Sequence, residues 1–458
     1  MMGINVATQY RFVYVNLDDF VPQDHQLRQI NQIVDFSFIY NKVVHLYSPF
    51  GRRSIDPVLL IKMLLIGYLY GIDSERKLEE EVRLNIAYRW FLGLDLESAI
   101  PDHSTFSQNR RRRFKDTTTF QEIFDHVVRL CIENGIVTGK VIVTDSTHIK
   151  ASASSNNYSM VQIDKEPAEY LRDLEEEAKK LEMKMNERRE QSGQKKPGKE
   201  RQQLQGENKE VKRSCTDPDA GFMNRPGKPA GFHYLAHTSV DPTYGIITDI
   251  FATAGNLKDD APFVSRIARQ KHDLMLPIEK VGADRGYDYT HVHYGLHQLD
   301  VKGYIAPSAS RSSSEHGLAF EYDKNSDAYT CPQGHTLSFT HLTWETKKKT
   351  YYKSYTAKTK HCNECSLRST CFSSKTNRRK INKPIAHELG IENEERSRTK
   401  EYKKIQKQRK VWCEGTFGWL KEKHNLRKTY KRGIVKIQEQ CLFSALAINL
   451  KRMVKALK

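Results

Sequence analysis

Two apolar strand patterns that each end on an aspartate constrain this chain more than any other feature. Val141-Ile-Val-Thr144 is a β-branched run closing on Asp145, and Ile278 to Ala283 reads as a strand closing on Asp284. Open sheets place their active sites at the carboxyl ends of such strands. Each aspartate alone reads more readily as a helix cap or a loop acid. Two in one sheet pattern make a candidate site.

The rest of the middle region supplies the sheet. His233 to Val240 and Ile246 to Ala252 read as strands joined by the turn-like Asp241-Pro-Thr-Tyr-Gly245, and Gly303 to Ala306 as another. A helix is expected from Ala261 to Lys271, and helical periodicity returns over Lys403–Lys423 and Lys436–Leu457. Glu414 belongs to the first of these late helices, with Phe417, Leu420 and His424 recurring near helical spacing after it. Alternation on the strand puts His233 and His237 on the solvated face of the sheet.

The N-terminal part reads as helix. Asp56 and Pro57 form a cap and first turn, with Val58, Leu59, Ile61, Leu64, Leu65 and Leu69 behind them. A second helix starts near Ser74. A third, capped by Ser104 or Thr105, carries Arg110, Arg111, Arg112 and Arg113. Three short helices with one basic helix suit a DNA-contacting module, and equally a plain helical bundle.

Charge narrows the partner. Lys and Arg total 74 against 56 Asp and Glu, a formal charge of +18, which favours a polyanion because each neutralised phosphate releases counterions. The most apolar run, Val58 to Ile72, is shorter than a membrane span and contains Lys62, so a core helix is expected. No apolar stretch follows a basic leader, so no secretory signal and no membrane are expected. The eight cysteines do not form a disulfide framework, and a reducing, cytoplasmic setting fits them. Cys362-Asn-Glu-Cys365 is followed by Cys371 and preceded by Cys331-Pro-Gln-Gly-His335. This spacing suits a structural Zn²⁺ held by Cys331, Cys362, Cys365 and Cys371, with His335 as an alternative ligand. Free buried thiols or a redox pair are the other readings.

A basic chain with paired strand-end acids points to phosphodiester chemistry. A positioned acid or base supplies only about 3–5 kcal/mol of barrier reduction, against roughly 8–23 kcal/mol for enzymes in general. A basic groove binds ground and transition states alike. Metal ions close the gap, and Mg²⁺ needs carboxylates converging from different elements.

Thr144-Asp145-Ser-Thr147, the stretch Asp241 to Asn256, Ala283-Asp284-Arg-Gly-Tyr287 and Glu414 to Lys421 occur in this order. So does Pro101-Asp102-His-Ser-Thr-Phe106 upstream. In combination they resemble the DDE transposases of bacterial insertion sequences. The resemblance implies an α/β fold: a ribonuclease H-like mixed sheet flanked by helices, with an N-terminal helical domain and two insertions. It also implies that Asp145, Asp284 and Glu414 hold two Mg²⁺ or Mn²⁺ ions. Lys421, seven residues after Glu414 on the same helical face, is implied as a contact to double-stranded DNA ends. Many members have Tyr and Arg before the glutamate, where this chain has Lys407 and Lys410. Lysine still holds a phosphate, but as a point charge without a bidentate fork. Arg110 to Arg113 and Lys410 join Lys421 as candidate DNA contacts. A dimer or larger assembly on DNA is expected, because the chemistry joins two DNA ends.

The expected organisation is an N-terminal helical DNA-binding region over 1–120 and a core beginning at 135–308. A charged helical insertion over 159–230 interrupts that core. A basic insertion with the Cys/His cluster spans 309–400, and C-terminal helices over 401–458 complete the core. Asp164 to Lys212 is expected to be a solvated helix followed by a flexible stretch.

Overall fold

The computed structural model describes residues 16–51, 53–165, 169–191, 207–224, 230–308, 314–315, 318–345, 350–372 and 376–458. Its strands are β1 (Val141–Lys150), β2 (Tyr158–Lys165), β3 (Glu207–Ser214), β4 (Gly221–Met223), β5 (Gly231–Val240), β6 (Ile247–Ala254), β7 (Lys280–Ala283) and β8 (Lys302–Ile305). Four short strands follow: β9 (Ser314–Glu315), β10 (Leu318–Ala319), β11 (Glu321–Asp323) and β12 (Ala328–Thr330). Then come β13 (Thr336–Glu345), β14 (Thr350–Thr356) and β15 (Lys380–Pro384).

The main sheet is built around β1. β5 pairs antiparallel with β1, and β6 antiparallel with β5. On the other side β7 runs parallel to β1, and β8 parallel to β7. The order β6-β5-β1-β7-β8, antiparallel on one flank and parallel on the other, is the ribonuclease H-like mixed sheet. Parallel neighbours need a crossover connection, usually helical, and the helices Phe263–Asp273 and Thr290–Gln298 flank β7 in sequence.

The C-terminal helix Ile434–Ala456 joins this sheet to the N-terminal helices. Its residues from Gln440 to Leu450 are all buried, so packing covers it on every side, with Gln440, Ser444 and Asn449 hydrogen-bonded within the interior. It packs against β6, the helix Thr119–Glu133 and the helix Pro57–Tyr70. One hydrophobic core therefore runs from Leu27 and Ile30 through Leu65, Phe124 and Ile142 to Phe443 and Leu450. Asp56 caps Pro57–Tyr70 as expected, accepting from the backbone N–H of Val58 and Leu59. No single helix among the described residues is long and apolar enough to cross a membrane.

Two expectations change. The region beginning at Asp164 is not simply a solvated helix. The helix Glu169–Gln191 forms, but β2 and β3 flank it as a hairpin, and β3 joins β5 through β4, extending the main sheet. Ala178 of that helix is buried against Tyr351, Ile385 and Ala386 of a second sheet, so one face is covered. The small side chain on a charged helix marks the contact that periodicity alone had treated as solvent. The stretch expected to be flexible, 192–206, lies outside the described residues.

The second correction concerns His237, which is buried rather than solvated. Its Nε2 lies 2.9 Å from Thr253 Oγ1, and burial pushes its pKa down to about 4. Both faces of β5 are covered, so alternation does not mark a wet side there. The second sheet is antiparallel, β11-β12-β13-β14-β15, with its own small core around Tyr329, Leu337 and Tyr355.

Candidate active site

The register of the parallel pair brings the two aspartates level. Val143 pairs with Gly282, so Asp145 and Asp284 each stand two residues further along adjacent strands. Hydrogen-bonded strands lie about 5 Å apart. Asp145 Oδ1 accepts from the N–H of Ser146 at 2.8 Å. Asp284 Oδ1 accepts from the N–H of Gly286 at 2.8 Å, capping the short turn Arg285–Tyr287.

A third carboxylate that sequence reasoning missed closes over them. Asp259, on the loop after β6, accepts from Ser146 Oγ at 2.8 Å through its Oδ1. A Cβ placed on Gly286 would lie 2.9 Å from Asp284 Oδ1 and 3.7 Å from Asp259 Oδ2, so both oxygens border that glycine. Asp259 lies in Asn256-Leu-Lys-Asp-Asp260, with no strand pattern to mark it. Tyr287 is buried directly behind: its hydroxyl finds no hydrogen-bond partner among the described residues. Burial, then Asp145, Asp259 and Asp284, push that hydroxyl well above its ordinary range.

The late helix brings the positive charge. Gly282 lets Lys400–Arg409 sit close on β7, since a Cβ there would meet Ile405 Cγ2 at 2.5 Å. Gln406 Nε2 then donates to the carbonyls of Ala283 and Tyr304 at 2.9 and 2.7 Å. One turn on, Arg409 Nη1 donates to Asp145 Oδ2 at 2.7 Å. Arg409 was also missed, because attention to Lys407 and Lys410 passed over the arginine between them. Burial pushes the Asp145 carboxyl up to about 6; Ser146 and Arg409 oppose the rise, while Asp284 and Asp259 add to it.

Glu414 ends the wide turn Lys410–Glu414, which packs against β1 and β5. Its side chain is exposed, whereas the preceding Cys413 is buried with its thiol raised by burial and by nearby Asp145. The structure thus brings Asp145 and Asp284 together and Glu414 onto a segment beside them. Among the described residues, the oxygens of the three do not close to within 4.8 Å of one another.

The candidate DNA contacts separate into inward and outward groups. Arg110 turns inward: its guanidinium holds Glu439 through Nε at 2.7 Å and Glu75 through Nη1 at 2.6 Å. This removes Arg110 from the expected DNA surface, because its charge is already matched inside the protein. Arg113 is half-buried, donating to Asn109 Oδ1 at 2.8 Å and lying 4.4 Å from the centre of the Tyr47 ring. Arg111, Arg112 and Lys410 are exposed, and Lys421 lines a groove beside the N-terminal helices.

In the second core, Cys362 and Cys371 are buried and Cys331 packs against them, with Cys365 half-buried nearby. Burial raises the Cys371 thiol; Arg379 opposes this, and Cys362, Cys365 and Cys331 add to it. The His335 ring stacks on His361 at 4.3 Å. Among the described residues, no three of these sulfur and ring-nitrogen atoms lie within 4.8 Å of one another. The group that does close so tightly is Glu79, Asp102 and His103 on the surface. Glu79 there receives the N–H of His103 and Asp102 that of Ser104, which gives those acids a structural role.

Comparison with known proteins adds two matches along the sequence. Residues 15–112 match a family model described as a transposase domain, DUF772, and residues 330–454 match one described as a transposase DDE domain. No curated protein matches the chain. Among solved structures, a piggyBac transposase synaptic complex with hairpin DNA aligns at 11% identity and a TM-score of 0.33, covering 94% of this chain and 74% of that one. The Mos1 mariner paired-end complex with Mn aligns at 11% identity and a TM-score of 0.17, covering 57% of this chain and 61% of that one.

Proposed function

The chain is a transposase of the DDE type, and from that premise we propose that it binds terminal inverted repeats, cleaves the element ends and joins the released 3′-hydroxyl to target DNA. One observation carries the reading: Asp145, within β1, and Asp284, directly after β7, stand level just past the last paired residues of these parallel strands. Both chemical steps use this one site.

The donor set fits a hard divalent cation. Carboxylates are the ligands Mg²⁺ and Mn²⁺ prefer, and Asp284 lies close enough to Asp145 to add to the cost of charging it. Asp145, Asp284 and Glu414 would hold two such ions, with Glu414 swinging in from its exposed position beside β1. Bound there, the ions would supply an activated attacking oxygen and stabilise the leaving oxygen. The chain's own residues do the rest. Ser146 and Gly286 fix the carboxylate orientations through their backbone N–H groups. Arg409 balances the buried charge of Asp145 and stands ready to pair with a phosphate instead. Lys410, Lys421, Arg111 and Arg112 hold the DNA backbone, and pairing of two ends implies a dimer or larger assembly.

The test uses pre-cut element ends, a supercoiled target plasmid and Mg²⁺. Joined product is the expected result. Cleavage of uncut ends without any joined product would leave a metal-dependent nuclease in place of a transposase.

The spacing of Cys331, Cys362, Cys365 and Cys371 in and beside one small core supports a structural Zn²⁺ there, since thiolates suit that ion, although their sulfurs do not close to within 4.8 Å of one another in threes. Protein purified without chelator is expected to contain one zinc per chain by elemental analysis. A zinc-free protein of full thermal stability would remove the proposal. Cys362→Ser is expected to lower the melting temperature of zinc-loaded protein by more than that of chelator-stripped protein, because burying the hydroxyl costs both alike while only the first loses a ligand.

A further inference from the structure

The loop between the last two helices lies along the end of β1, away from the aspartates. Lys150 donates its N–H to the carbonyl of Arg427, and Thr429 donates back to the carbonyl of Lys150. This short parallel bridge holds Arg427–Arg432 rigidly beside the sheet. Beneath the loop, Lys431 and Arg110 converge on buried Glu439, so its position is set from the interior as well. A groove of about 870 Å³ opens between this loop and the helix Ser104–Arg112. Arg76, Arg111, Arg432 and Lys436 line it against Asp73 and Glu75, while Arg110 and Lys431, also in its lining, are paired with Glu439 and, for Arg110, Glu75. Arg111, Arg432 and Lys436 point their charges to solvent from three different segments. Tyr430 stands at its mouth, 62% exposed, with Lys428 Nζ 4.6 Å from its ring centre.

We propose that this groove is a second DNA contact, a cleft for the duplex backbone separate from the aspartates, formed jointly by the N-terminal helices and the 425–433 loop. The proposal rests on the DNA reading above and extends it to a named surface. Rigid placement matters here, because long cations ordinarily give up side-chain entropy on binding a phosphate. Five residues of β1 separate Asp145 from Lys150, about 17 Å of strand, and the loop bridged to Lys150 continues into the groove. Arg111, Arg432 and Lys436 would each neutralise a phosphate, and the Tyr430 hydroxyl would donate to another.

The test is the salt dependence of binding to a fluorescent duplex of arbitrary sequence, using full-length protein. The variant combines Arg111→Gln, Arg432→Gln and Lys436→Gln, all at exposed positions. A control of equal charge change combines Lys140→Gln, Lys302→Gln and Lys455→Gln, exposed positions outside the groove. Each lost phosphate contact lowers the slope of log affinity against log salt by about 0.9, so the groove variant is expected to lose about 2.7 and the control far less. The affinity deficit of the groove variant should then be about fortyfold larger at 50 mM than at 200 mM salt. Equal slopes for the two variants, or an unchanged slope in the groove variant, would overturn the cleft while leaving the transposase reading intact. Absence of duplex binding by the unaltered protein would overturn both.

Discussion

Asp284→Asn is expected to abolish end cleavage and joining while leaving DNA binding unchanged. The substitution is isosteric and keeps an oxygen able to accept the Gly286 N–H, so the capped turn survives. What it removes is one unit of negative charge at the point where Asp145, Asp259 and Asp284 meet. A ligand to a catalytic cation is worth several kcal/mol of transition-state stabilisation. At 1.36 kcal/mol per decade, a loss of about 4 kcal/mol lowers the rate roughly a thousandfold. Joining of pre-cut ends should fall in parallel with hydrolysis, since both steps share the site. Joining at more than about a tenth of the normal rate would place the chemistry elsewhere. Asp259→Asn makes a useful comparison. Asp259 holds Ser146 and borders Gly286, and an amide retains an acceptor for the serine hydroxyl, so a smaller loss is expected there.

The aspartates were legible because each follows a run of strand-forming residues; Asp284 does stand at a strand end, where an open sheet exposes functional groups, whereas β1 continues past Asp145 to Lys150. Parallel register then did what spacing in sequence could not reveal: it set residues 145 and 284 side by side. Arg409 and Asp259 were illegible for a physical reason. Neither sits at the end of a pattern; Arg409 is one cation in a lysine-rich helix, and Asp259 is one acid in a polar loop. Only the close approach permitted by Gly282 and the turn after β6 bring them inward. Arg110 shows the opposite failure. A run of four arginines reads as a phosphate-binding face, yet helical geometry turns Arg110 toward Glu439 while Arg111 and Arg112 face solvent. Residues one apart on a helix do not share a side, so a charge run is never one surface. The expectation of a solvated insertion fails for a related cause, since Ala178, which is buried against the second sheet, carries little weight in a hydrophobicity pattern.

Glu439→Gln is expected to destabilise the fold by roughly 3–5 kcal/mol, the usual result of removing one partner from a buried ion pair. Glu439 is 3% exposed and lies on the C-terminal helix that joins the helical region to the sheet. It receives Arg110 from Ser104–Arg112 and Lys431 from the loop, at 2.7 and 3.0 Å. Without its charge, two buried cations face each other with only Glu75 left on the Arg110 side. Burial works against ionisation of Glu439, but Lys431 and Arg110 outweigh it and hold the carboxyl at about 2. A carboxyl depressed from 4.5 in this way stabilises the folded chain at every pH above its unfolded value. That contribution shrinks as pH falls from about 5 toward 2, because the unfolded chain takes up the proton first. The denaturant midpoints of the parent and the glutamine variant should therefore stand far apart at neutral pH and approach each other in acid. A gap of constant size across that range would mean that shape, rather than charge, makes Glu439 necessary. Because the same residue fixes Lys431 and the loop that carries Arg432, the variant should also lose DNA affinity at temperatures where it is still folded.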